Sequence, residues 1–270
     1  MPNTLDGILL LGWMEKAEAV SWLQGNCWFD PQLSQQQGED IWEKYRAAVE
    51  ALANPRQLAL PQRKAISLSE QMHVKKFLAR HKGPEVLDVW NIDPRNLVIY
   101  QFYVAVDRSD HHAKTFGKGW AETCLQIDRL GSPLPIRSEG NIIKLTLPHA
   151  EHGLMIQPDG AFRIQQGAGF ISLCQINGRT ILKSGYHRSF AAARAMNAPD
   201  AKDTSLLVAL TATAPPQLSA QLPMQGLKAV VLGSRPPLFS DFLDDSLAIK
   251  VKLRKKKYEA HIRFEQVDDL

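Results

Sequence analysis

The chain has 270 residues, of which 44% are hydrophobic and 22% charged, with a formal net charge of +4. That length supports one large domain or two of ordinary size. No stretch approaches the ~20 consecutive apolar residues a membrane span needs, so composition predicts a soluble chain. Cys27, Cys124 and Cys174 lie far apart with no CxxC pair, which argues against a disulfide framework or a zinc knuckle. They read as buried thiols of a cytoplasmic protein, and the mild positive charge permits an anionic ligand without demanding nucleic acid.

Residues 8–13 form an apolar run preceded by Asp6 and lack the basic start of a secretory leader, so they read as the core-facing start of a helix. Residues 15–23 also read as helical. Residues 39–53 place Ile41, Trp42, Tyr45, Ala48, Val49 and Leu52 at spacings of three and four, a buried stripe ended by Asn54 and Pro55. A third helix starts at a Ser67/Glu70 capping box, turns Met72, Val74, Phe77 and Leu78 inward, and stops at Gly83 and Pro84. Residues 1–85 therefore predict a helical N-terminal region. Its tryptophans, Trp13, Trp22, Trp28 and Trp42, either present an aromatic surface or, as the spacing of Trp42 favours, pack inward.

From residue 86 onward the pattern changes to short runs rich in Val, Ile, Leu and Tyr, broken by turn signals. Strands are predicted at residues 97–106, 142–147, 170–176, 181–183, 206–211 and 228–232. Asn177-Gly178 marks a hairpin, because both residue types tolerate positive φ. Residues 189–196 are alanine-rich and helical, with Asn197 and Pro199 as the stop. Residues 248–264 alternate around a basic turn at 254–257 and read as a hairpin. The fold class that follows is α/β in the α+β sense, with a mixed-sheet domain over residues 86–270.

The informative functional segment is residues 177–188, where a strand runs into a glycine turn that opens a helix. Ser184, Gly185, Tyr186, His187 and Arg188 form that turn. The free amides and positive dipole end of a helix make an anion site, Gly185 lets a ligand approach the backbone, and Arg188 can fork onto phosphate oxygens. His187 adds a donor, a base or a metal ligand. The same residues also fit a purely structural corner, with His187 capping and Arg188 paired to Asp241 or Asp244.

Gly185-Tyr186-His187-Arg188-Ser189-Phe190-Ala191 resembles the G-x-[HR]-R-x-x-A turn of the ParB/sulfiredoxin superfamily, which lies between a strand and a helix. The likeness continues through the helix into residues 206–211. Ile92-Asp93-Pro94-Arg95-Asn96-Leu97 is similar to an upstream family segment, and Arg235-Pro236-Pro237-Leu238 with Asp241-Phe242 adds a likeness to bacterial proteins that share a GYHR turn. The resemblance implies a ParB/sulfiredoxin-like domain in which Gly185, His187 and Arg188 hold nucleotide phosphates, with Mg²⁺ accompanying the nucleotide. Tyr186 stands where sulfiredoxins carry a reactive cysteine, so their thiol chemistry is not implied. An enzyme built on this turn would perform phosphoryl transfer or phosphodiester hydrolysis, with His187 and Arg188 as its catalytic residues. Glu151, Asp110 and Asp244 are the carboxylates available to hold the metal.

Other segments carry competing readings. His149 and Glu151, with His187 as third ligand, match the pattern of a non-haem iron oxygenase, while a polar loop accounts for the same residues. Asp110-His111-His112 reads as a surface loop. Lys255, Lys256 and Lys257, with Arg254, Lys250, Lys252 and Arg263, suit nucleic-acid phosphates in a non-catalytic module that binds nucleic acid or protein, or else guard an exposed edge strand. The sequence holds no GxSxG, Walker, HExxH or GxGxxG motif.

Overall fold

A computed structural model describes residues 4–61, 63–80, 85–115, 136–147, 153–156, 162–165, 170–197, 206–212, 225–255 and 258–263. Residues 1–126 and 170–254 group into one compact unit, and residues 127–169 and 255–270 into a second. The chain is an α+β protein, and one of its sheets is mixed.

In the first unit β1 (Thr4–Leu9) leads into a 3-10 turn at Leu11–Trp13. The apolar run at residues 8–13 is thus a strand and a tight turn, not the start of a helix. The reason is two-sided burial: Ile8 joins one hydrophobic cluster while Leu9 joins another. Helix α1 (Lys16–Asn26) and strand β2 (Cys27–Trp28) follow, and then α2 (Gln35–Glu50). In α2 Ser34 closes a capping box with Gln37, and Tyr45 and Val49 are buried. A Cβ on Gly12 would lie 2.3 Å from the Tyr45 carbonyl oxygen, so glycine is what lets the 3-10 turn press against this helix.

The short strand β3 (Arg63–Lys64) precedes α3 (Leu68–Arg80), whose capping box is present: the Glu70 amide donates to Ser67 Oγ at 3.2 Å and the Ser67 amide to Glu70 Oε2 at 2.9 Å. Val74 is buried and Phe77 packs against the core, but Met72, expected inside, is 47% exposed. The Leu78 side chain lies outside what is described. Strand β4 (Val86–Ile92) pairs with β3, and the Arg63 guanidinium sits 3.6 Å from the Trp90 ring centroid.

Residues 97–106, expected as one strand, are divided. A 3-10 turn at Pro94–Asn96 capped by Asp93 precedes them, Val98 makes isolated bridges, and only β5 (Tyr103–Ala105) is a strand before α4 (Val106–Thr115) begins. Asp110, His111 and His112 therefore lie on a helix and not in a loop. In the second unit β6 (Ile136–Glu139) and β7 (Ile142–Leu147) pair, as do β8 (Gly153–Ile156) and β9 (Phe162–Gln165).

The chain returns to the first unit with β10 (Ser172–Ile176) and β11 (Arg179–Ser184), joined by a two-residue turn in which Asn177 has φ 50° and Gly178 φ 75°. Helix α5 (Tyr186–Met196) then crosses over to β12 (Leu206–Thr211), which lies parallel to β10 as a helical crossover allows. Every residue of β12 is buried. Residues 228–232, expected as a strand, belong to α6 (Gln225–Leu232).

A 3-10 segment at Phe239–Leu243 follows, then β13 (Ile249–Arg254) and β14 (Tyr258–Arg263). These last two do not form the expected hairpin. Strand β13 is interior in the sheet ordered β2-β13-β1-β5, while β14 pairs with β7. Lys250 and Lys252 accordingly occupy the exposed face of an inner strand and guard no edge. The mixed sheet is ordered β11-β10-β12-β4-β3.

Candidate functional site

The strand, turn and helix predicted around Gly185 are present. Gly185 has φ 90° and ψ 24°, the left-handed conformation, and it is the N-cap of α5. The helix starts directly after it, with the Ser189 amide donating to the Gly185 carbonyl at 2.9 Å. A Cβ here would lie 2.6 Å from Ile171 Cγ1 and 2.9 Å from Ile171 Cα. On that side the missing side chain admits Ile171 of the neighbouring segment.

The Tyr186 side chain turns inward. Its ring is buried between Tyr100 and Phe239, with centroids 6.0 and 6.2 Å away. Its hydroxyl accepts from the amides of Tyr100 and Gln101 at 3.1 and 3.3 Å and donates to the Leu182 carbonyl at 2.8 Å. Burial pushes this phenol well above its ordinary range. The side chain is part of the packing of the fold.

Arg188 is 4% exposed, so its guanidinium is carried inside and not displayed in front of the turn. His187 is half-buried, as are Lys183, Ser184 and Gly185. Ser184 Oγ donates to the Phe170 carbonyl at 2.9 Å and lies 2.7 Å from Ser172 Oγ, which fixes the last residue of β11 to the neighbouring strand. Tyr100 Oη donates to the Lys183 carbonyl at 2.6 Å. The residues entering the turn are thus held at Leu182, Lys183 and Ser184 in succession.

The carboxylates have other occupations. Asp241, one of the two acids offered for Arg188, is 2% exposed and takes a bidentate pair from Arg56 at 2.6 and 2.7 Å. The Leu238 amide donates to the same carboxylate at 2.7 Å. Burial raises the Asp241 carboxyl above its usual range, against the pull of Arg56. Asp244 accepts from the Ser246 amide and hydroxyl at 2.8 and 2.6 Å. Asp110 pairs with Arg194 at 2.7 Å, joining α4 to α5. Arg56 was missed by sequence reasoning, and nothing in its local pattern marks it: its partner lies 185 residues away.

His149, Glu151, Lys256 and Lys257 lie outside the described residues, as does Cys124. Among the described residues no three His, Cys, Asp or Glu side chains gather into a metal-binding group. Lys255 is exposed at the end of β13. Lys250 pairs with Asp245 at 2.8 Å and Lys252 with Asp6, while Arg254 donates to the Cys27 carbonyl at 2.9 Å. Cys27 and Cys174 are buried, and burial pushes their thiols up to about 12 and about 11.

The tryptophans divide. Trp13 is buried with its indole donating to the Arg235 carbonyl at 2.8 Å, and the Trp42 indole donates to the Met14 carbonyl at 2.9 Å. Trp28 is exposed.

No family model, curated protein or solved structure matches the chain. Among the described residues no helix is long and apolar enough to cross a membrane.

Proposed function

We propose that the chain binds a nucleotide or another phosphorylated ligand at residues 184–188, in the manner of the ParB/sulfiredoxin-like superfamily that its GYHR turn resembles. One observation carries this reading: α5 opens on a left-handed glycine with no side-chain cap and no acid in its first turn. Helices α1 and α4 have Glu18 and Asp107 in their first turns, and α2 and α3 have capping boxes, whereas α6 also lacks a first-turn acid. The leading amides of a helix have no intrahelical acceptor, and a phosphate is a natural complement to them.

The order strand, glycine, helix, strand from β11 to β12 supports the resemblance. Arg188 contributes from behind the turn. Buried in the first turn of α5, it adds positive charge near the helix's positive end. His187, half-buried beside it, donates to the phosphate, or serves as base if the protein catalyses phosphoryl transfer or phosphodiester hydrolysis. Mg²⁺ would arrive with the nucleotide.

Thermal denaturation with ATP, CTP, GTP and inorganic phosphate, each with and without Mg²⁺, tests the reading. A ligand at a hundred times its Kd stabilises by about 2.7 kcal/mol, which raises Tm by several degrees. Unchanged melting with all of them ends the proposal.

A further inference from the structure

One face of α3 is left to solvent although half of it is apolar. Residues 68, 72, 75 and 76 are spaced so that Leu68, Met72, Lys75 and Lys76 form a single stripe. Leu68 is 72% and Met72 47% exposed, and both lysines are exposed. The opposite side of the helix, with Val74 and Phe77, packs into the core. Leu60 before β3 and Leu87 on β4 are 80% and 54% exposed. Among the described residues, every exposed Leu or Met falls in this stretch.

Charge singles out the same stretch. Residues 60–87 contain Arg63, Lys64, Lys75, Lys76, Arg80 and Lys82 against Glu70 and Glu85. Glu70 is occupied by Ser67, whose hydrogen bonds hold its carboxyl below the usual range. The excess equals the +4 of the entire chain.

We propose that this basic-rimmed apolar face docks an acidic segment of a partner protein that carries apolar anchors. Exposed apolar side chains ringed by one sign of charge mark interaction sites, and the sign selects the partner. A membrane surface fits less well, because an interfacial helix inserts a whole apolar face and the main apolar face of α3 is already buried. A second copy fits less well too. A two-fold contact would set Lys75 and Lys76 against their own copies, and so few apolar side chains fall short of the roughly 800 Å² per partner of a stable interface.

The test is selection from a displayed library of random peptides about sixteen residues long, roughly four helical turns, on the full chain. Peptides enriched together in Asp or Glu and in Leu, Phe or Met are expected. Their affinity should fall about tenfold or more in Leu68→Ser/Met72→Ser and in Lys75→Glu/Lys76→Glu, and fall with added salt. All four positions are exposed, so the variants should melt with the wild type. The proposal is overturned if no peptide is enriched over the two variants, or if the enriched peptides are not acidic. It is equally overturned if the face serves another surface. That outcome would be phosphatidylserine vesicles retaining the wild type but not the variants, or a wild-type dimer that Met72→Ser dissolves.

Discussion

Tyr186 and Tyr100 clasp each other: the Tyr100 amide donates to the Tyr186 hydroxyl, and the Tyr100 hydroxyl reaches back to the carbonyl of Lys183, at 3.1 and 2.6 Å. The clasp ties the segment before β5 to the end of β11, immediately ahead of the glycine turn. Tyr186→Phe keeps the ring but strips an acceptor from the amides of Tyr100 and Gln101. Leaving these part-buried amides without partners costs about 1–3 kcal/mol. Urea denaturation should show that loss, and hydrogen exchange should be faster at those two amides.

The same clasp governs the alkaline limit. Burial pushes the Tyr100 phenol up to about 12 and raises Tyr186 well above its ordinary range, whereas an unfolded tyrosine titrates near 10. The folded chain keeps protons that the unfolded chain gives up, so stability falls as pH rises from about 10 towards 12. Tyrosinate absorbance at these two residues should appear together with the loss of secondary structure. Ionisation of Tyr186 in a still-folded chain would contradict this account.

Removing Arg56 leaves Asp241 buried without its counter-charge. Arg56→Met should cost about 3–5 kcal/mol near neutral pH. Without the guanidinium, the burial that already raises this carboxyl is no longer opposed by Arg56. The folded state then holds a proton that the unfolded state releases above about pH 4, so the variant's stability falls with rising pH and returns on acidification. Urea midpoints near pH 5 and pH 8 measure the difference. Asp241→Asn added to Arg56→Met keeps an acceptor for the Leu238 amide, and should recover much of the loss and flatten the pH dependence.

Gly185→Ala meets two obstacles. The residue has φ 90°, and the new methyl would lie within 3.0 Å of Ile171. Together these should cost about 2–4 kcal/mol. Ile171→Ala in the same chain should return only part of it, since the contact with the Ile171 backbone and the unfavourable φ remain. Denaturation of the single and double variants gives the comparison.

What could be read in advance was local. Asn177-Gly178 gave away its hairpin because positive φ is a property of those residues alone, and Gly185 gave away the turn for the same reason. The stripe of α2 and the Ser67/Glu70 box are equally short-range. Residues 228–232 misled because a short apolar run is the same signal for a buried strand and a helical turn. The tail misled because alternation in β13 and β14 says which face each strand buries, not which strand each will meet. The limit is plainest at the candidate site. Sequence marked the turn, but that Tyr186 points inward and that Asp241 answers to Arg56 depend on partners 85 and 185 residues away.

A charge reversal at His187 separates the fold from the ligand. In His187→Glu a carboxylate enters the first turn of α5, where the helix dipole favours it by about 0.3–1 kcal/mol. His187 Nε2 is itself shielded from water, so desolvation of the carboxylate offsets part of that gain. The unliganded variant should therefore melt close to the wild-type temperature. A phosphate resting on the same amides would meet a negative charge a few ångströms away, which at an effective dielectric near 20 costs about 4 kcal/mol and removes detectable binding. Nucleotide-dependent stabilisation should vanish while the melting temperature without ligand is kept. Stabilisation that survives the substitution would mean that the anion does not sit on this turn.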